Sequence, residues 1–126
     1  MQTLAKIALV AAGGAFGATA RFLLNQFFAG ILQPFPFVTF FINVTGSFAV
    51  GFLLALAAEK TFVNENLRLF LIVGFLGAYT TFSTFEFETL QLTRDKNFAL
   101  AVFYAAASVI VGFVAAFAGV LIARRI

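Results

Sequence analysis

The side chains of this 126-residue chain that are able to do chemistry are few, and they gather. The stretch GAYTTFSTFEF, Gly77 to Phe87, sets four aliphatic hydroxyls (Thr80, Thr81, Ser83, Thr84) and a carboxylate, Glu86, among phenylalanines, and Glu88 follows at once. On a helix, at about 100° per residue, Thr84, Glu88 and Thr81 fall within an arc of about 60°, bordered by Phe85 and then Phe82. Phenylalanine ring edges carry partial positive charge. Hydroxyl donors beside such edges suit a small anion as well as a purely apolar contact. Just upstream, Gly74, Gly77 and Ala78 lack bulk and the β-branched Thr80 and Thr81 follow them. That composition favours interrupting a helix, and an interrupted helix frees carbonyl oxygens to ligate a cation.

Other polar groups are spaced to face the same way. Thr39 and Asn43 stand one helical turn apart, as do Tyr104 and Ser108. Arg21 lies well inside an apolar run, where a guanidinium is costly unless it reaches water or a partner. The chain has no cysteine, which excludes thiol chemistry and thiolate metal sites. It also has no histidine, so the usual proton shuttle near neutral pH is absent. The net charge of +3 comes from Lys and Arg near span ends and forms no basic run, which argues against nucleic-acid binding.

The elements that carry these groups must lie in a bilayer. The chain is 63% hydrophobic and 10% charged, more apolar surface than a soluble domain of this length could hide. Four apolar runs, about 4–28, 37–58, 67–92 and 98–123, each match the ~20 residues a helix needs to cross the hydrocarbon. Runs of this length without strict alternation exclude a barrel, so the fold class is an all-α integral membrane protein, one membrane domain over residues 1–126. The midpoint of the third run falls near Tyr79 and Thr80. The expected break therefore lies close to the membrane midplane. Pro34 and Pro36 separate the first two spans, and Asn64 and Asn97 are placed to cap the third and fourth. The alternative that the first run is a signal peptide ending near Ala18–Ala20 is weaker, because three more spans follow.

GGAFGATARF in the first span, TFFINVTGSFAVG in the second and above all GFLGAYTTFSTFEFE in the third resemble the Fluc (CrcB) family of fluoride channels. The resemblance covers all four spans. It implies a homodimer of four-helix subunits inserted in opposite orientations, the third helix of each broken, with two fluoride pores and no enzymatic activity. It also implies a structural sodium ion at the dimer centre held by main-chain carbonyls, matching Gly77 and Thr80 here. By the same motif Phe82 and Phe85 are pore phenylalanines, Asn43 is the pore asparagine, and Arg21 lies near the aqueous vestibule. Thr39, Ser83 or Thr84, Glu88, Tyr104 and Ser108 would form the polar track. The chain departs from the pattern at Ala78, where a second glycine is usual, at Val38, where a glycine commonly precedes the threonine, and at Glu86, where a small polar residue is usual.

The function expected from the resemblance is passive export of cytoplasmic fluoride across a bacterial inner membrane. The alternative is a small proton-coupled multidrug exporter using Glu88 or Glu86. Against it, the first span carries Arg21 instead of a carboxylate and the chain has no tryptophan. A subunit of a larger assembly is a further possibility. With the N-terminus, the loop 59–68 and the C-terminus on one side, that side carries Lys6, Lys60, Arg68, Arg124 and Arg125, and the other carries Arg94 and Lys96, plus Arg21 if it is counted. By the positive-inside rule this charge distribution leans toward a cytoplasmic N-terminus, in tension with dual orientation.

Overall fold

A computed structural model describes residues 1–60 and 63–126. It contains α1 (Gln2–Phe27), α2 (Phe37–Glu59), α3 (Glu65–Arg68), a π-helical segment (Leu69–Leu76), α4 (Gly77–Tyr79), α5 (Ser83–Arg94) and α6 (Phe98–Arg125). Four helical stretches among the described residues are long and apolar enough to cross a membrane: Gln2–Phe27, Phe37–Glu59, Glu65–Arg94 and Phe98–Arg125. The protein is therefore an all-helical, multi-pass membrane protein, and its third span is the one built from several pieces. That span starts where expected. The Asn64 side chain accepts a hydrogen bond from the Leu67 N–H at 2.9 Å, and Glu65 sits in the first turn, where the helix dipole favours a carboxylate.

Short connections force neighbouring spans to run up and down, so the first and third spans are parallel to each other, as are the second and fourth. Ion pairs at one end report this arrangement. Lys6 of α1 meets Glu65 at 2.6 Å, and Arg124 of α6 meets Glu59 of α2 at 3.4 Å. Such exposed pairs add little stability, but they show which chain ends lie together.

Each parallel pair is welded by bare backbone. On α1, a Cβ added at Gly13 or Gly17 would lie 2.1 Å from the carbonyl oxygen of Phe70 or Phe75 in the π segment, and Gly74 abuts the Val10 carbonyl in return. In the other pair, a Cβ at Gly51 of α2 would lie 2.1 Å from the Ala116 oxygen, and one at Gly119 of α6 would lie 2.3 Å from the Phe48 oxygen. Lipid tails are as apolar as leucine, so burial gives helices little reason to associate, and close backbone approach supplies dispersion contacts instead. The composite third span changes partner along its length. Its π segment and α4 pack on α1, whereas α5 packs on α6.

Residues Thr80 to Phe82 are the non-helical ones, with Thr80 extended at φ −75°, ψ 156°. The break expected at Gly77–Thr80 therefore falls slightly later. Gly77 itself is ordinary right-handed helix at φ −62°, ψ −34°, because what ends α4 is a side chain on α2 that captures the backbone of Thr81, and not the flexibility of Gly77. The π segment was not legible in the sequence.

The glycine contacts predict sharply different outcomes for neighbouring positions. Gly17→Ala would drive a methyl into the Phe75 carbonyl and is expected to lower stability in detergent by about 1–3 kcal/mol. Gly14→Ala, whose added Cβ would sit 3.8 Å from the Gly74 oxygen, is expected to be near neutral. Thermal unfolding of the two purified variants checks this.

Candidate ion pathway

At the break, Asn43 substitutes for a neighbouring peptide. Its Oδ1 accepts from the Thr81 N–H at 2.8 Å, and its Nδ2 donates to the Thr81 carbonyl at 2.9 Å. Both backbone polar groups of Thr81, the middle residue of the break, are thereby satisfied by one side chain. Gly46, one turn along α2 on the near side, leaves room for the Thr80 methyl, which an added Cβ would meet at 2.1 Å. On the other side of Gly46, Thr45 Oγ1 and the Tyr79 hydroxyl lie 2.9 Å apart. Thus α2 grips the break at three consecutive residues of the third span.

This grip redistributes the main-chain bonds. In a continuous helix the Thr81 N–H would donate to the Gly77 carbonyl; here it donates to Asn43. The Thr84 N–H, which would serve the Thr80 carbonyl, instead donates to Thr81 Oγ1 at 3.3 Å, while the Thr81 hydroxyl donates to Thr84 Oγ1 at 3.0 Å. Thr81 so acts as the cap of α5, and the Gly77 and Thr80 carbonyls are released from their usual helical partners. These oxygens are hard donors, of the kind a hard cation takes. The Thr80 hydroxyl turns back to the Leu76 carbonyl at 2.8 Å and is thereby already partnered within its own span.

Downstream, Glu88 collects two hydroxyls. Thr39 Oγ1 donates to Oε1 at 2.6 Å, and the Tyr104 hydroxyl donates to Oε2 at 2.9 Å. Thr39 is 3% exposed and Tyr104 fully buried, so this triad is part of the protein interior and not a surface cluster. The Tyr104 ring meets Phe85 edge-on at a centroid distance of 5.2 Å, and Phe85 lies 5.9 Å from Phe82. Phe85 is buried, whereas Phe82 is 73% exposed in the isolated chain.

Two separate cavities flank these residues. A central one of about 410 Å³ is lined by Asn43, Thr81, Phe82, Phe85 and Ser108, among others. The Ser108 Oγ is buried without a hydrogen-bond partner among the described residues. A second cavity of about 320 Å³, near the junctions of α1 with α2 and of α5 with α6, is lined by Thr39 and Glu88 together with Asn25, Gln33, Gln91 and Asp95. The Glu88–Tyr104–Phe85 chain of contacts connects one cavity to the other. Thr39, Asn43, Phe82, Phe85, Glu88, Tyr104 and Ser108 are thus brought into one track, and Thr84 joins through Thr81. Ser83 is exposed in the first turn of α5. Arg21 is half-buried on α1; its carbonyl accepts from Asn25 Nδ2 at 2.9 Å, and it is Asn25, one turn on, that lines the outer cavity. Glu86 is exposed in the first turn of α5 and lines neither cavity. Sequence reasoning missed the Thr45–Tyr79 contact and the amides of the outer cavity, which come from loops and helix ends that carry no periodic signal.

Fold and site together define a class: a small four-span helical membrane protein whose third span breaks at mid-depth beside a track of hydroxyls, an amide and phenyl rings. A family model described as CrcB-like protein, Camphor Resistance (CrcB), matches residues 8–120, and the chain belongs to that family. It is 43% identical over 118 residues to the fluoride-specific ion channel FluC of Chlorobium luteolum, a match covering 94% of this chain and 92% of that one. It is 44% identical over 119 residues to a protein of the same name from Trichormus variabilis, covering 91% and 85%. The relative from Magnetococcus marinus, also so named, is 42% identical over 122 residues, covering 96% and 99%.

Asn43→Ala is expected to destabilise the protein by about 2 kcal/mol or more, since it strands both backbone polar groups of Thr81. Asn43→Asp keeps the acceptor for the Thr81 N–H and is expected to fall between the two. Amide hydrogen exchange at Thr81 should rise in the same order. Equal exchange in all three proteins would contradict the grip.

Proposed function

We propose that this chain is a fluoride-specific ion channel that lets fluoride accumulated in the cell leave passively across the bacterial inner membrane. What carries the reading is the union of the family match, with relatives so named over nearly the full length, and a mid-membrane track that keeps hydrogen-bond donors in reserve, the Ser108 hydroxyl and the second Asn43 amide hydrogen. It is a channel and not an enzyme. The relatives' name also favours this reading over a multidrug exporter.

Fluoride is small and strongly hydrated, so a pore must replace its water with donors at close quarters. Entering from the outer cavity, the ion would meet the amides of Asn25 and Gln33, then the Thr39 and Tyr104 hydroxyls, each of which would have to turn from Glu88 to the ion to donate to it. The Phe85 and Phe82 edges, the second Asn43 amide hydrogen and the unpartnered Ser108 hydroxyl would follow in the central cavity. Weak aromatic donors between stronger ones would keep any one site from trapping the ion, as conduction requires.

The groove beside Phe82 is largely apolar but holds Asn43, Ser47, Thr81 and Ser108 and is open in the isolated chain, at a depth where lipid cannot satisfy those polar groups. A second copy inserted in the opposite orientation would cover it, giving an antiparallel homodimer with two pores. The residues fit the structural sodium ion of such a dimer. The Gly77 and Thr80 carbonyls, released at the break, would hold it, and when bound it supplies fixed positive charge near the pores. Arg21 would add to that field at the outer end.

Liposomes loaded with fluoride and containing the purified protein should release it far faster than protein-free liposomes, as read by a fluoride electrode; matching rates would overturn the assignment. Phe82 and Phe85 substitutions are each expected to slow release about tenfold or more, the scale of a lost interaction with a charged ion. Tags at both termini should be accessible from both sides of the membrane in intact cells. A single orientation would refute the antiparallel dimer.

A further inference from the structure

We propose that Ser47 is a pore residue whose hydroxyl, with that of Ser108, makes an anion-coordinating step on the side of Asn43 away from the outer cavity. The inference rests on the fluoride-channel reading above and extends its track by one helical turn. Its basis is the register between α2 and α6, which run parallel. Thr39 and Tyr104 share the Glu88 carboxylate, Ser47 Oγ stands 3.5 Å from where a Cβ on Gly112 would be, and Gly51 abuts the Ala116 backbone. The offset is constant along the pair, so the intervening rung is Asn43 beside Ser108.

The rungs therefore run from Thr39 with Tyr104, through Asn43 with Ser108, to Ser47 with Gly112. Beyond them the central cavity is walled by Val50 and Ala116, which offer no side-chain donor. Ser47 is the last hydroxyl on that face of α2. Its counterpart is a glycine, so the space beside it belongs to the cavity and not to a side chain. Independently, the Ser108 Oγ is buried in the same cavity with no partner among the described residues. An unpaired buried hydroxyl at this depth calls for a ligand that accepts a hydrogen bond. A small anion placed between the Ser47 and Ser108 hydroxyls satisfies it, and on leaving the Asn43 amide would have its next donor within one turn. Were Ser47 only a small residue at a helix contact, alanine would serve as well.

Fluoride efflux from proteoliposomes, measured across a range of fluoride concentrations, separates the two roles. Ser47→Ala is expected to lower efflux about tenfold or to raise the half-saturating fluoride concentration by a similar factor, the worth of one hydrogen bond to a charged partner. Ser47→Thr, which returns the hydroxyl, should recover most of the loss. Efflux by Ser47→Ala equal to that of the unaltered protein would overturn the proposal, while absence of efflux from the unaltered protein would instead overturn the channel reading. Should Ser47→Ala not fold, Gly112→Ala decides: its methyl meets Ser47 Oγ at an ordinary contact distance, so the helices still pack, but it covers the hydroxyl. Reduced efflux supports the proposal and unchanged efflux refutes it.

Discussion

The hydrogen-bonded clasp between Asn43 and the Thr81 peptide is the constraint on which the rest depends. A helix can break inside a bilayer only if the freed backbone groups find partners, because each unsatisfied group there costs several kcal/mol. The Asn43 carboxamide offers one acceptor and one donor, and so meets the N–H and the C=O of Thr81, which belong to adjacent peptide groups, together. The break could not persist beside a leucine at that position. Once it exists, α5 starts afresh under the Thr81 cap, and the third span is released from the straight line that its first half follows.

That release solves a packing problem. The two parallel helix pairs, α1 with the first half of the third span and α2 with α6, are each joined through glycines and main-chain carbonyls. A straight third span would stay against α1 along its whole length. Bent at Thr80–Phe82, it crosses to α6, and Glu88 arrives between Thr39 and Tyr104. The carboxylate then holds two hydroxyls whose positions are set by different helices. A charge that would be costly in hydrocarbon becomes the tie between α2, α5 and α6, because it is both hydrogen-bonded and open to the polar outer cavity.

Much of this was legible in the residues. The four spans, the all-helical class and the concentration of polar groups at the middle of the third span follow from composition and length alone. So does the expectation of a break, since glycines followed by paired threonines weaken a helix at the depth where it is otherwise most secure. The break falls one step later than the glycines indicate, for a specific reason. Glycine content marks where a helix can yield, and Gly77 remains helical, whereas the interruption occurs where Asn43 of another helix competes for the backbone. A helical wheel likewise assumes one continuous phase through Thr80, Thr81, Thr84 and Glu88, and the break separates Thr80 from the others.

The sequence by itself determined the solvent, the number of crossings and the inventory of donors, because hydropathy and residue type are properties of single positions. It also carried the family pattern that places this chain among the CrcB proteins. Only the tertiary structure decided which donors are already spent. Asn43 is tied to Thr81, Thr39 and Tyr104 to Glu88, and Thr80 to Leu76, while Ser108 is left without a partner. Hydrogen bonding is pairwise and short-ranged, so whether a hydroxyl is free depends on what a different helix brings within about 3 Å of it. No single span encodes that.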